Sequence, residues 1–302
     1  MTSKTLPQRP GISTGIPAAA ASPPDDILVL ADLRKSYDDV EVLKGVSMSA
    51  RRGETTVLIG GSGAGKTTLL RLIVALERPT SGSILVDGEE MVGLSEDALN
   101  RVRRKFGMVY QYAALLDSVN VMDNVAFPLV EHTKLSKREI HDRVIHQLEI
   151  LGLDASVATK FSSELSGGMR KRVGVARALI LDPPIMIYDE PTSGLDPPTS
   201  RLVDDLIEEV RERFGVTSIV SSHDITSCFR IAHQAILMMD GKIIARGSPD
   251  EIAGRSETAR RFIEQSGIDV ERVSRVPSGR LSAMTGVASD HVSGRATSDE
   301  TI

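Results

Sequence analysis

Gly60–Thr67 read G-G-S-G-A-G-K-T, and this stretch decides the fold of the chain. A short β-branched apolar run, residues 56–59, comes directly before it and predicts a buried strand. A longer apolar run, residues 69–76, comes directly after it and predicts a buried helix. Strand, G-x-x-x-x-G-K-[ST] and helix together are the context that a phosphate-binding loop requires.

The composition of this loop suits the binding of a triphosphate. Its glycines let several backbone N–H groups converge on phosphate oxygens, and the helix N-terminus adds a favourable dipole for the same anions. We expect Lys66 to reach the β- and γ-phosphates and the Thr67 hydroxyl to bind Mg²⁺. The predicted nucleotide-binding residues here are Gly60, Gly61, Ser62, Gly63, Ala64, Gly65, Lys66, Thr67 and Thr68. The loop does not indicate what the energy of the nucleotide is used for.

The composition limits the classes of function. With 302 residues the chain has room for one large or two modest domains. Its net charge of −5 argues against a nucleic-acid partner, because proteins that bind nucleic acids usually carry a basic excess. The single cysteine, Cys228, indicates a reducing compartment. The apolar runs are shorter than the ~18 residues that span a bilayer, and the first residues lack a secretory pattern. We therefore expect a cytosolic protein whose membrane role depends on a partner.

The pattern along the chain predicts one central domain between two poorly patterned ends. Residues 1–25 are rich in proline and small residues and predict a disordered arm. Residues 26–255 alternate β-type and helical segments. Residues 256–302 predict a C-terminal extension that is largely disordered after about residue 266.

Two helices have clear boundary signals. Ser136 and Glu139 predict a capping box for an amphipathic helix over residues 137–151. Asp196 predicts the N-cap of a second helix, from about residue 199 to residue 214. The predicted buried face of this second helix consists of Leu202, Val203, Leu206, Ile207 and Val210.

Carboxylates and a histidine follow two further predicted strands. Residues 185–190, I-M-I-Y-D-E, end in Asp189 and Glu190, whose roles must differ because side chains alternate along a strand. We expect Asp189 to hold Mg²⁺ and Glu190 to polarise the attacking water. His223 follows the strand at residues 219–222, where α/β ligand sites form, and we expect it to contact the γ-phosphate. Each signal is weak alone, since such strand ends are common and an isolated histidine is usually a packed or surface residue.

A second anion site is predicted where Ser166, Gly167 and Gly168 open a helix. The alternative is a simple N-cap followed by flexible glycines. Because two phosphate-binding helix starts lie far apart in one sequence, we expect a composite site shared between two chains.

Together, these features resemble the ATP-binding-cassette (ABC) ATPase family over about residues 27–252. The matching motifs are the Walker A motif at Gly60–Thr67, the Q-loop glutamine Gln111, the signature at Leu165–Met169, the Walker B motif at Ile185–Asp189, the D-loop at Ser193–Asp196 and the switch histidine His223. The resemblance implies catalytic roles for Lys66, Gln111, Glu190 and His223. It also implies Mg²⁺ ligation by Thr67, Gln111 and Asp189, and nucleotide contacts from Tyr37, which stacks on adenine, and Asp196. An ordinary strand tyrosine is the alternative for Tyr37.

The resemblance further implies an α/β fold with three parts. These are a P-loop NTPase (RecA-like) core, an antiparallel β subdomain and an inserted α-helical signature subdomain at about residues 95–165. ATP and Mg²⁺ are the implied cofactors. The implied assembly is a head-to-tail homodimer that holds two ATP molecules between the Walker A motif of one chain and the signature of the other. Its Q-loop region is expected to meet a membrane partner.

Met169, where most relatives have glutamine, and the stretch that follows Gln111 are similar to the ATPases of Mla/Mce-type phospholipid transporters. That similarity implies integral membrane permease subunits, a periplasmic Mce-type lipid-binding protein and a location on the cytoplasmic face of the bacterial inner membrane. Alternatively, Met169 is a neutral surface substitution, and the chain serves another importer, for methionine or polar amino acids. A non-transport ABC ATPase that acts on DNA or ribosomes is a third possibility.

Overall fold

The computed structural model describes residues 25–110, 114–255 and 261. The predicted N-terminal arm and C-terminal extension, apart from Asp25 and Arg261, lie outside these residues, and so does Gln111.

The described ranges contain ten strands and eight α-helices, which follow one another in mixed order along the chain. The strands are β1 (Asp26–Tyr37), β2 (Val40–Arg51), β3 (Thr55–Ile59), β4 (Ser81–Val86), β5 (Glu89–Glu90), β6 (Phe106–Tyr110), β7 (Ile185–Asp189), β8 (Thr217–Ser222), β9 (Gln234–Met239) and β10 (Lys242–Gly247). The helices are α1 (Lys66–Ile73), α2 (Glu96–Arg103), α3 (Val121–His132), α4 (Lys137–Ile150), α5 (Gly167–Leu179), α6 (Pro197–Phe214), α7 (Ile225–Ile231) and α8 (Pro249–Arg255). Short 3₁₀ turns occupy Ala155–Thr159 and Ser162–Glu164.

The core is a six-stranded sheet in the order β10-β9-β3-β8-β7-β6. Its strands are parallel except for β10, which pairs antiparallel with β9. Strands β3 and β8 are buried along their whole length, as expected for a parallel sheet that is covered on both faces. Ile59 pairs with Ser222, and Asp189 pairs with Ser221. The carboxyl ends of β3, β8 and β7 therefore lie at one edge of the sheet. This edge brings Asp189, Glu190 and His223 close to the end of β3, where the phosphate-binding loop begins.

Two other parts surround the core. An antiparallel sheet in the order β2-β1-β4-β5 packs with α1 and α2 in one apolar cluster. Helices α3, α4 and α5 form a second part, in which Val125, Val144 and Val173 are fully buried. The predicted α/β class, with an antiparallel β part and a helical insertion, is therefore confirmed.

The helix boundaries follow the predicted caps. Ser136 and Glu139 form the capping box of α4. Asp196 caps α6, which begins at Pro197, two residues before the predicted start. The prediction for Leu202 is wrong, because this side chain is 67% exposed. The packed face of α6 is instead filled by residues three and four positions apart, which leaves Leu202 at its solvent edge.

Across the described residues, the structure contains no helix with the length and apolar character needed to cross a bilayer.

Candidate active site

A cavity of about 630 Å³ lies at the carboxyl edge of the parallel strands. Its lining residues are Val42, Gly61, Ser62, Gly63, Ala64, Gly65, Lys66, Thr67, Thr68, Glu190, Ser193 and His223. The cavity therefore combines most of the predicted phosphate-binding loop with Glu190 and His223. Gly60 is not part of this lining; it packs on β9, where a Cβ atom would lie 2.6 Å from the Met238 carbonyl oxygen.

The loop between β3 and α1 depends on glycine at its last turn. Gly65 has φ of +98°, in the left-handed region, and a Cβ atom there would lie 2.8 Å from Leu43 Cδ2. Gly65 also occupies the N-cap of α1 without a side-chain hydrogen bond to the first turn. The first N–H groups of α1 therefore lack a side-chain cap, which is the arrangement of a helix N-terminus that binds an anion.

Lys66 lines the cavity and is only 7% exposed. Its Nζ atom donates to the carbonyl oxygens of Gly60, at 2.7 Å, and Gly61, at 3.3 Å. The same ammonium lies 3.2 Å from Glu190 Oε1, and Glu190 Oε2 lies 2.7 Å from His223 Nδ1. The structure thus joins Lys66, Glu190 and His223 in one polar chain, a contact that the sequence did not predict.

Ser221 fixes the turn that carries both carboxylates. Its buried hydroxyl donates to Asp189 Oδ1 at 2.6 Å and accepts from the Glu190 backbone N–H at 3.1 Å. The Glu190 N–H also donates to the Ser221 carbonyl oxygen at 3.0 Å. Glu190 has φ of +51°, an unusual conformation for a residue with a side chain, and these contacts hold it there. Sequence reasoning missed Ser221; the available signal was a serine near the end of a buried strand, two residues before His223.

The oxygen donors of Thr67 and Asp189 fit Mg²⁺, which prefers carboxylate and hydroxyl oxygens and retains waters or phosphate oxygens in its remaining positions. Thr67 lines the cavity, and Asp189 lies directly before Glu190 at its wall. The third predicted ligand, Gln111, lies outside the described residues. Among the described residues, no cluster of three or more His, Cys, Asp and Glu side chains has the arrangement of a metal centre.

Tyr37 ends β1, is 39% exposed and is not among the described residues that line the cavity. Its hydroxyl donates to the Glu77 carboxylate. This hydrogen bond raises the pKa of Tyr37 and lowers the pKa of Glu77.

The signature residues lie apart from the cavity at the start of α5. The Ser166 hydroxyl accepts from the Met169 N–H at 3.2 Å, so the serine is an N-cap, as the simpler alternative predicts. Ser166, Gly167 and Gly168 are exposed, and a Cβ atom on either glycine would have no neighbour within 4 Å among the described atoms. Packing within the chain therefore does not require glycine at these positions.

Asp196 likewise does not line the cavity in the described part of the chain. It caps α6 by accepting from the Thr199 N–H at 3.0 Å, and this hydrogen bond lowers the pKa of its carboxyl group. The structure thus gathers Lys66, Thr67, Glu190 and His223 around one cavity. It leaves Tyr37, Ser166–Gly168 and Asp196 elsewhere on the chain.

Known proteins match both the sequence and the fold. The family model described as "ABC transporter" matches residues 43–193. The intermembrane phospholipid transport system ATP-binding protein MlaF of Escherichia coli K12 is 41% identical over 224 residues, or 74% of this chain and 83% of that protein. The methionine import ATP-binding protein MetN of Caulobacter vibrioides is 37% identical over 266 residues, or 86% of this chain and 78% of that protein.

Among solved structures, cbiO1 from Clostridium perfringens, described as part of the ABC transporter complex cbiONQ, is 33% identical. The match has a TM-score of 0.71 and covers 80% of this chain and 96% of that chain. The dimeric ATP-binding cassette MJ0796 in a post-hydrolysis state, bound to ADP and Pi, is 32% identical with a TM-score of 0.66, over 73% of this chain and 98% of that one. With the phosphate-binding loop, Glu190 and His223 gathered at one cavity, these matches establish that the chain belongs to the ABC transporter family as an ATP-binding subunit and is an ATPase.

Proposed function

We propose that this chain powers a transporter that moves phospholipid between the bacterial inner membrane and a periplasmic Mce-type lipid-binding protein. The observation that carries this proposal is the similarity to MlaF, which extends over most of both chains. In this proposal the chain lies on the cytoplasmic face of the inner membrane, held there by permease subunits. The energy comes from ATP hydrolysis at the cavity between the phosphate-binding loop and Glu190.

Methionine import is the second candidate. The similarity to MetN supports it, because that match covers a larger share of this chain at a slightly lower identity. The two candidates share the ATPase chemistry and differ in the permease and in the transported molecule.

The experiment that separates them is purification of the full chain from membranes in mild detergent, followed by identification of the permease and of the bound lipid. We expect a phospholipid-transporting permease, copurified phospholipid and ATPase activity that changes with added phospholipid but not with L-methionine. A methionine permease and stimulation by methionine would refute the proposal. The Lys66→Ala chain is the matched control, because it should keep the permease and lose the ATPase activity.

The surface beside Tyr110 supports a permease contact. A groove of about 460 Å³ lies there, and Tyr110, Leu116 and Phe127, which are 42%, 46% and 52% exposed, contribute apolar surface to its lining. Large exposed apolar side chains in one groove are typical of a protein–protein contact. We assign this groove, next in sequence to Gln111, to the permease.

At the cavity, we assign Glu190 as the base that takes a proton from the attacking water. One oxygen of its carboxylate contacts Lys66 and the other contacts His223, so both neighbours restrict its orientation. Lys66 binds the β- and γ-phosphates, and His223 contacts the γ-phosphate. The loop from Gly60 to Thr68 supplies backbone N–H groups to the phosphates, although Gly60 itself acts through its packing on β9.

Thr67 and Asp189 would hold Mg²⁺, with Gln111 as the third protein ligand. Bound Mg²⁺ would neutralise charge on the β- and γ-phosphate oxygens. Ser221 keeps the Asp189 carboxylate in a fixed orientation toward that role.

The active assembly that we propose is a head-to-tail homodimer. Ser166, Gly167, Gly168 and Asp196 of a second copy complete each site, and Tyr37 stacks on the adenine. The exposure of Ser166–Gly168 supports this assembly, as does the dimeric state of the solved cassette MJ0796.

Mixing two inactive variants tests the shared site. Ser166→Arg blocks the signature and Lys66→Ala blocks the phosphate loop, so each variant alone should lack ATPase activity. A mixture should recover one intact site in each heterodimer. No recovered activity, although mass spectrometry finds the heterodimer, would contradict the shared site.

A further inference from the structure

Glu77 holds the hydroxyl of Tyr37 in a network of charged groups. Its carboxylate accepts from the Tyr37 hydroxyl and lies 3.5 Å from Lys35 Nζ and 3.4 Å from an Arg71 guanidinium nitrogen. The Glu77 side chain is only 23% exposed. A partly buried carboxylate with several donors is confined to one orientation, because each donor restricts it.

The same network connects Tyr37 to the helix that begins at the phosphate-binding loop. Arg71 belongs to α1, whose first residue is Lys66, and its carbonyl oxygen also accepts from the Glu77 N–H at 3.3 Å. Glu77 therefore links the end of β1, in the antiparallel sheet, to the helix that carries the phosphate contacts.

Lys35 covers one face of the tyrosine ring. Its Nζ atom lies 4.7 Å from the ring centroid, within the distance of a cation–π interaction, and donates to the Arg78 carbonyl oxygen at 2.9 Å. The Lys35 side chain is 15% exposed, so the ammonium is fixed between the ring, Glu77 and this carbonyl. The ammonium therefore occupies one face of the ring, so a stacking base would use the opposite face.

Packing alone does not fix the ring. Tyr37 is the last residue of β1 and is 39% exposed, so its side chain could adopt other staggered rotamers if the hydroxyl were released. The hydrogen bond to Glu77, with Thr68 as a second hydrogen-bonding neighbour of the hydroxyl, selects one of them.

We propose that Glu77 is a positioning residue for the base of the nucleotide. It orients the Tyr37 ring relative to the phosphate-binding loop, while Lys35 leaves one ring face for the base. This inference rests on the proposed role of Tyr37 as the surface on which adenine stacks. Glu77 acts through Tyr37 and does not touch the nucleotide.

The base contact and the phosphate contact can be measured separately. We would titrate the full chain by calorimetry with a nonhydrolysable ATP analogue and with tripolyphosphate, both in Mg²⁺. Tripolyphosphate has no nucleobase, so only the affinity for the analogue depends on the contact between the nucleobase and the Tyr37 ring. Glu77→Ala and Tyr37→Phe should each weaken analogue binding roughly three- to tenfold, the effect of one lost hydrogen bond. Neither should change the affinity for tripolyphosphate by more than about twofold.

Three variants complete the design. Glu77→Gln keeps an oxygen acceptor for the Tyr37 hydroxyl and should retain most of the parent affinity. Glu77→Ala should weaken analogue binding less in a Tyr37→Phe background than in the parent, because the hydrogen bond between the two residues is already lost there and only the contacts of Glu77 with Lys35 and Arg71 remain to be removed. Glu212→Ala is the matched control: it removes an exposed carboxylate paired with Arg211, outside the cavity lining, and should leave both affinities unchanged.

The outcomes separate the inference from the proposal on which it rests. If Tyr37→Ala weakens analogue binding and Glu77→Ala does not, the base contact stands and the role of Glu77 is refuted. Equal weakening of both ligands by Glu77→Ala also refutes that role, because it locates the effect at the phosphate loop. If Tyr37→Ala changes neither affinity, the assignment of Tyr37 fails and the inference fails with it. Should Glu77→Ala not fold, an unchanged analogue affinity in Tyr37→Phe overturns the inference.

Discussion

Replacing Ser221 by alanine should separate the positioning of the catalytic carboxylates from the binding of ATP. The Ser221 hydroxyl makes two contacts, to the Asp189 carboxylate and to the Glu190 N–H, and it is fully buried. The Glu190 N–H keeps its second acceptor, the Ser221 carbonyl oxygen at 3.0 Å, after the change. The Asp189 carboxylate loses its hydroxyl donor, and a hydroxyl-sized gap remains beside it.

The contacts of Ser221 allow two effects to be estimated, the loss of stability and the loss of kcat. A buried hydrogen bond to a charged group contributes about 1.5–3 kcal/mol, so we expect the free energy of unfolding to fall by ~2 kcal/mol. For a domain of this size that lowers the melting temperature by roughly 4–8 °C. Because the left-handed Glu190 backbone loses one of its supports, we expect kcat to fall about ten- to a hundredfold. The affinity for tripolyphosphate without Mg²⁺ should change little, since Ser221 does not line the cavity.

The assay compares Ser221→Ala with Ser227→Ala. Ser227 is another buried serine whose hydroxyl donates to an aspartate, but it belongs to α7, its partner Asp204 belongs to α6, and neither lines the cavity. Both variants should lose similar stability by thermal unfolding, and only Ser221→Ala should lose kcat. If both variants keep the parent kcat after correction for the folded fraction, Ser221 is a packing residue and the positioning argument is refuted.

Two further predictions concern carboxylates. Glu190→Gln should bind ATP as the parent does but lower steady-state ATPase at least ~100-fold, because the water loses its base; turnover near the parent rate would rule Glu190 out. Burial raises the pKa of Asp204 from 3.8 to about 6, so its ionised form destabilises the folded chain as pH rises through this window. As the pH rises from 4 to 8, the free energy of unfolding of Asp204→Asn should therefore increase relative to that of the parent by on the order of 2–3 kcal/mol. Chemical denaturation at several pH values measures this difference. Asp142→Asn, at an exposed aspartate of α4, is its control, and a gain that does not vary with pH would contradict the assignment.

The sequence predicts those features of the site that depend on neighbouring residues. Strand β3, the glycine-rich loop and α1 are contiguous, so their apolar runs and glycines specify them without knowledge of the rest of the fold. The capping box of Ser136 and Glu139 is local in the same way.

Contacts between distant elements were not predictable in this way. Nothing near Glu190 in sequence shows that its carboxylate meets both Lys66 and His223, or that Ser221 supports its turn. These contacts depend on the order of β3, β8 and β7 in the sheet, which hydrophobic periodicity does not determine. Leu202 shows the same limit on a helix, because the rotation of α6 against its neighbours decides which apolar residue stays in solvent.

Packing within the chain requires glycine near the start of α1 and does not require it near the start of α5. Gly60 and Gly65 are required by the chain itself, since a Cβ atom would lie within 3 Å of Met238 or Leu43. Gly168 has no such neighbour and lies in the first turn of α5, where glycine is less stable than alanine by up to ~1 kcal/mol. Gly168→Ala should therefore leave the chain as stable or slightly more stable in thermal unfolding, yet lower the ATPase activity of the assembly if a second copy brings phosphate close to this turn. Gly60→Ala should lower both. Full ATPase activity in Gly168→Ala would mean that nothing approaches the α5 turn closely, and the shared site would then have to be built without it.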